Sequence, residues 1–162
     1  MMEQIKSIEA TTKEAERNLD RLLDWIIRYD NRAALLFTLD ATMVGTLALG
    51  LSSSIGPGYS SILLVPFILT VGISILGTAF TIFPRLKGPT DSLLYFGSIA
   101  KMEKKNFRDL FNKRTTTEYL DDLLAQCHIN AKILDFKFKV FRISLILTMV
   151  AIIFWSLSLY LF

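Results

Sequence analysis

Six basic side chains stand where charged sequence gives way to apolar sequence: Arg32, then Arg85 and Lys87, then Lys137, Lys139 and Arg142, with Asp30 the one carboxylate among them. The same flanks carry Trp25, Tyr29, Tyr95 and Phe96. Guanidinium forks hold phosphate oxygens and aromatic faces stack on planar groups, so this set could form a pocket for an anionic ligand. A plainer chemistry uses the same residues. The cations snorkel to anionic headgroups and anchor the chain, while Asp30 is an ion-pair partner of Arg142 or Lys137. On residue types alone both readings stand.

Asp40 poses a different problem, because it lies inside an apolar run about 12 Å beyond Arg32 along a helix axis, and no Lys, Arg or His shares that depth. A carboxylate there is expected to be protonated, hydrogen-bonded to a hydroxyl such as Thr78, Ser144 or Thr148, or facing water. It then serves either as interhelical glue or as a pore-lining, proton-sensing group. Catalysis finds no support: the chain lacks a nucleophile–base constellation and a phosphate-cradling glycine loop. One cysteine, Cys127, beside one histidine, His128, is too little for a metal site, and we expect no metal, no cofactor and no enzyme.

The elements that must position these residues are legible from hydropathy. Of 162 residues 52% are hydrophobic, and the excess sits in three blocks, 33–51, 61–83 and 143–162. Asp40 is the only charge in the first, and the other two have none. Each is long enough for ~30 Å of hydrocarbon. We expect three transmembrane helices and no signal peptide, since the first 32 residues are crowded with both signs of charge. Pro66 is a candidate kink in the second span, and Gly72 and Gly77 are positions of close helix approach. All 18 Lys and Arg lie in 1–32 (six) and 84–142 (twelve), which places both segments in the cytoplasm, with the 52–60 loop, turning at Gly56-Pro57-Gly58, and the C-terminus outside it.

Within the cytoplasmic segments the apolar positions repeat at three and four. Ile5, Ile8, Thr12, Ala15, Leu19, Leu22, Ile26 and Tyr29 form one seam. Leu120, Leu124, Cys127, Ala131, Leu134, Phe138 and Phe141 form another, which runs directly into the third span. Between them the chain must run the opposite way, starting after Gly88-Pro89 with Thr90 or Asp91 as cap. The turn at its far end is marked by Thr115 and Glu118 at capping-box spacing. Helices of about 29, 23 and 25 residues would stand roughly 35–43 Å tall. The expected fold is an all-α membrane protein: three transmembrane helices continuous with a cytoplasmic three-helix, coiled-coil-like stalk, built from an amphipathic helix over 1–32 and a helical hairpin over 84–142.

"YDNRAALLFTLDATMVGTL" resembles the Asp-x-Lys lead-in to the first span of the Pycsar transmembrane effector family, with Arg32 in place of the lysine. "FPRL", "LLYFGSIAKM" and "INAKILDFKFKVFRISL" are similar to that family's later landmarks, so the likeness runs from about Asp20 to Phe162. The resemblance implies bacterial anti-phage defence, in which a cognate cyclase makes a cyclic nucleotide that activates a membrane effector and impairs the inner membrane. It points to Asp30, Arg32, Phe83, Pro84, Tyr95, Phe96, Gly97 and Lys137. Arg32 keeps the charge but changes the geometry, and Asp40 departs from the neutral or apolar residue expected there. With no β-rich nucleotide-binding domain, a ligand must use the helical stalk, an oligomer interface or a partner protein.

The expected function is therefore an effector of the bacterial inner membrane, probed at Tyr29, Arg32, Tyr95, Phe96, Lys137 and Arg142 as ligand contacts and at Asp30, Asp40, Pro66, Phe83, Pro84 and Gly97 as structural or gating positions. Its expected partners are a cyclic nucleotide, the lipid bilayer and further copies of itself, with no nucleic-acid polymer. Two alternatives use the same features: a membrane-anchored coiled-coil adaptor that docks a soluble cytoplasmic protein, and a small holin-like pore former, for which the stalk is longer than needed.

Overall fold

A computed structural model of the chain describes residues 2–53, 60–83, 88–89 and 92–161, with side chains over 6–49, 63–83, 88–89 and 92–160. The Gly56-Pro57-Gly58 turn, Pro84, Arg85, Lys87, the caps Thr90 and Asp91 and the side chain of Ile5 lie outside the described residues. Five helices account for most of the rest: α1 Met2–Ser53, α2 Ser60–Ile82, α3 Phe96–Ile99, α4 Lys104–Lys113 and α5 Thr116–Leu161. No strand occurs among the described residues. α5 holds neither glycine nor proline in 46 residues, and α1 has no proline in 52, so nothing in either sequence interrupts helical propagation. By length and composition α1, α2 and α5 are each capable of crossing a membrane.

The chain divides into two compact units, one of Met1–Ile27 with Arg85–Asp135 and one of Arg28–Pro84 with Phe136–Phe162. The second unit holds the apolar spans and is built inside out relative to a soluble domain. Ala33, Leu36, Asp40, Met43 and Leu47 of α1 are buried, as are Phe67, Val71, Ser74, Thr78 and Thr81 of α2 and Ser144, Thr148, Ala151 and Ser158 of α5. Of its largest fully buried side chains only Phe67 is apolar, whereas Leu35, Leu76 and Leu49 lie more than 70% exposed. Lipid is as apolar as leucine, so close packing of small and hydroxylated faces, rather than burial of oil, holds such helices together. Met43, Leu47, Phe67, Val71 and Ala151 form the apolar part of this core, with Trp155 packed against it and donating from Nε1 to Thr46 Oγ1 at 3.1 Å.

Glycine separates the helices unevenly. A Cβ on Gly77 would fall 2.4 Å from Ser144 Oγ, so α2 and α5 touch through that position. A Cβ on Gly72 would meet nothing within 4 Å beyond its own helix backbone, and the expected close approach there is absent among the described residues. α2 continues through Pro66 without interruption, and Thr70 Oγ1 donates to the Pro66 carbonyl at 2.7 Å one turn on.

In the first unit Thr12 and Ala15 of α1 are buried, as expected of their seam. The seam of α5 is turned by one residue from the expected one. Leu123, Gln126 and, further along in the second unit, Lys137 are buried, while Leu124, Ala131 and Phe138 are exposed. Polar residues won these positions because each has a partner: Gln126 Nε2 donates to Ser92 Oγ at 3.1 Å, and Lys137 Nζ donates to the Thr81 carbonyl at 2.8 Å.

The reverse-running segment is not one 23-residue helix but two short ones. Ser92 Oγ accepts from the backbone N–H of Leu94 and Tyr95 at 3.1 and 2.9 Å, a local turn that competes with helix, and α3 then ends within four residues. α4 starts separately after Glu103. At the far turn the capping box forms as its spacing predicts. Thr115 N–H donates to Glu118 Oε2 at 2.8 Å, and Glu118 N–H to Thr115 Oγ1 at 3.3 Å.

Candidate functional site

In the second unit the expected site residues fall into two groups. Around Asp40 the three apolar helices converge on one polar knot. Asp40 has no exposed surface. Its Oδ2 lies 2.6 Å from Ser74 Oγ of α2 and its Oδ1 2.9 Å from Thr148 Oγ1 of α5. The two hydroxyls are 2.8 Å apart, and Ser74 Oγ also reaches the Ser144 carbonyl at 3.1 Å. Of the three expected hydroxyl partners, Thr148 is a direct one, Ser144 offers its carbonyl to Ser74, and Thr78 bonds back to Ser74 O within α2. Ser74 was missed. Its signal was the spacing Phe67-Ser74-Thr81, three positions seven apart on one helix face. Asp40 itself sits on a run that continues the α1 seam at three and four: Tyr29, Ala33, Leu36, Asp40, Met43 and Leu47.

The second group begins ten residues earlier. Lys137, 5% exposed in its side chain, donates from Nζ to Asp30 Oδ1 and to the Thr81 carbonyl, joining α1, α2 and α5. Of the two partners open to Asp30 in the sequence, the structure selects Lys137. Asp30 keeps one-third of its side chain exposed. Tyr29 packs edge-on against Phe138 and Phe141, with centroids 5.6 and 5.8 Å away. Arg32 is exposed and lies 5.8 Å from the Tyr29 ring centroid, close enough for a cation–π attraction. Arg142 and Phe83 are exposed. Here Lys137 is committed to internal partners, whereas Arg32 and Arg142 present their charge outward.

The remaining candidates belong to the first unit. Trp25 and Phe96 are exposed, at 53% and 63%. Tyr95 and Phe96 have centroids 5.0 Å apart. The Tyr95 ring lies where a Cβ on Gly88 or Gly97 would stand, 2.2 and 2.6 Å from the nearest ring atoms, so both glycines make room for it. Cys127 Sγ faces the Ala15 carbonyl at 3.5 Å, and burial raises its pKa, which suits a packing role rather than a reactive one. Tyr119 donates to Glu16 Oε1 at 2.8 Å, and burial, then that hydrogen bond, holds its phenol above the ordinary value.

This arrangement ties the three long helices together at Asp40 and Lys137 and leaves Arg32 and Arg142 exposed. No curated protein and no solved structure matches the chain. The family described as the Pycsar effector protein domain matches residues 14–162, nearly the whole length, from within α1 to the end of α5, and the chain belongs to that family, whose members are effectors of bacterial anti-phage defence.

Proposed function

We propose that this effector is switched on by a cyclic nucleotide from a cognate cyclase and, as a homo-oligomer, breaches the bacterial inner membrane without catalysing a reaction. The first unit lies in the cytoplasm, on the side where all 18 Lys and Arg collect. One observation carries the reading: α1 and α5 are unbroken through 52 and 46 residues, and each contributes to both units. A ligand that favours one packing of these helices in the cytoplasm thereby biases the same rods within the lipid. Arg32 and Arg142 then meet lipid headgroups, and Lys137 holds the spans through Asp30.

The test is expression with the cognate cyclase while membrane potential is followed. Depolarisation that requires both proteins is expected, and purified protein in liposomes should release an entrapped dye when a cyclic nucleotide is added. Cells that stay polarised, with protein in the membrane and nucleotide present, would refute the reading.

A further inference from the structure

Within the first unit, the irregular stretch at Ser92 and the start of α5 enclose a cleft of about 390 Å³. Arg114 lines it with a side chain only 9% exposed. One edge of this guanidinium is fully committed. Nη2 donates to Asp122 Oδ2 at 2.7 Å and to the Glu118 carbonyl at 3.1 Å, and Asp122 Oδ2 also accepts from Leu93 N–H at 3.0 Å. Nη1, by contrast, is buried and finds no acceptor among the described residues. The Tyr119 ring, 4.9 Å from Cζ, attracts the charge but supplies no acceptor oxygen.

A buried donor of this kind demands explanation, because arginine cannot shed its proton to relieve the defect. An oxygen arriving through the cleft would fill the missing place. The donors select the class. Asp122 offsets Arg114, and the Glu118 carboxylate is occupied by the N–H and hydroxyl of Thr115. Lys113, exposed on the lining, has no such commitment among the described residues. Over the lining Lys113 and Arg114 balance Glu118 and Asp122, so what the cleft lacks is an acceptor at Arg114 Nη1, and a phosphate oxygen, which guanidinium and ammonium donors both hold well, supplies it beside Lys113. Its volume lies at the small end of the ~300–1,000 Å³ typical of small-ligand sites, and Leu93, Leu110 and Ala125 provide apolar wall.

We infer that this cleft binds the phosphate of a small ligand, with Arg114 Nη1 and Lys113 as donors; that the ligand is the activating cyclic nucleotide rests on the function proposed above. The full chain in detergent micelles is titrated calorimetrically with the 3′,5′-cyclic monophosphates of adenosine, guanosine, cytidine and uridine, and with glycerol 1-phosphate as a lipid-headgroup probe. Saturable binding of at least one probe is expected. Lys113→Gln should weaken it about tenfold or more, the scale of a charge-assisted hydrogen bond. Ala125→Phe, which fills the cleft and touches neither cation, should abolish it, and this variant keeps the test valid if Arg114→Gln fails to fold. Binding of glycerol 1-phosphate in preference to every nucleotide would keep the phosphate site and make its ligand a headgroup. Undiminished affinity in the folded variants, or no binding of any probe by the wild type, overturns the inference. Depolarisation by the wild type without such binding would leave the function standing and remove the site. Binding without depolarisation would do the reverse.

Discussion

Thr148 Oγ1 donates to Asp40 Oδ1 across 2.9 Å, tying two residues 108 apart in the chain. With Ser74 on the other carboxylate oxygen, Asp40 links α1, α2 and α5 at one depth. Lipid offers no competing hydrogen bonds, so a carboxyl group placed there is held by whichever hydroxyls the neighbouring helices bring. This geometry favours glue over a pore-lining role for Asp40.

Replacement of Asp40 tests that reading. Asp40→Asn keeps shape and hydrogen-bonding capacity and is expected to melt within about 0.5 kcal/mol of the wild type in detergent, with the same dye release from liposomes. Asp40→Ala should cost about 1–2 kcal/mol, the scale of interhelical hydrogen bonds in membranes. Altered conductance in a stably folded Asp40→Asn protein would show that the carboxyl group lines a path.

The Lys137–Asp30 pair is asymmetric in exposure, and so should be its mutants. Removal of Asp30 leaves a buried ammonium short of its counterion, for which Asp30→Ala is expected to cost about 2–3 kcal/mol. Lys137→Met leaves a carboxylate that already reaches water and should cost about 1 kcal/mol. Thermal unfolding of the two variants side by side gives the order, and equal losses would contradict this account.

Gly77 and Gly72 provide a matched comparison on α2. Gly77→Leu drives side-chain atoms into Ser144 and should destabilise the chain by about 1–3 kcal/mol, the cost of overpacking. A Cβ at Gly72 meets nothing within 4 Å among the described residues, and Gly72→Leu should leave the melting temperature of the monomer nearly unchanged. A shift in assembly size caused by Gly72→Leu alone would locate a contact between copies.

Acid should loosen the start of α5. The Thr115 backbone N–H, then its hydroxyl, holds Glu118 below the ordinary carboxylate range, so the stabilisation is present above the usual Glu pKa and is lost as pH falls through the lowered value. Hydrogen exchange at residues 116–119 should accelerate over that window in the wild type. Glu118→Gln retains an acceptor for the cap and should remove the pH dependence. An unchanged acid response in Glu118→Gln would assign it to another group.

Much of this was legible in the chain because it depends on local rules. The capping box at Thr115 and Glu118 follows from spacing alone, and the three spans follow from the length of the apolar blocks. The seam of α5 was misread at Leu124, Ala131 and Phe138, because a search for apolar repeats passes over Gln126 and Lys137, whose burial depends on Ser92, Asp30 and Thr81. The segment after Pro89 was read as one helix because its composition is helical. Ser92 redirects it by accepting two backbone N–H groups that a continuing helix would have used elsewhere.

By itself the sequence determined that three helices are long and apolar enough to cross a bilayer, that two of them extend far beyond it, and that the basic residues collect in 1–32 and 84–142. These are properties of composition and periodicity, which act within a few turns of helix. Only the tertiary structure decided which hydroxyls hold Asp40, which cation answers Asp30, and that Arg114 keeps a buried nitrogen without an acceptor among the described residues. Such pairings join residues tens to more than a hundred positions apart, and their selection depends on how helix faces meet, which no local pattern encodes.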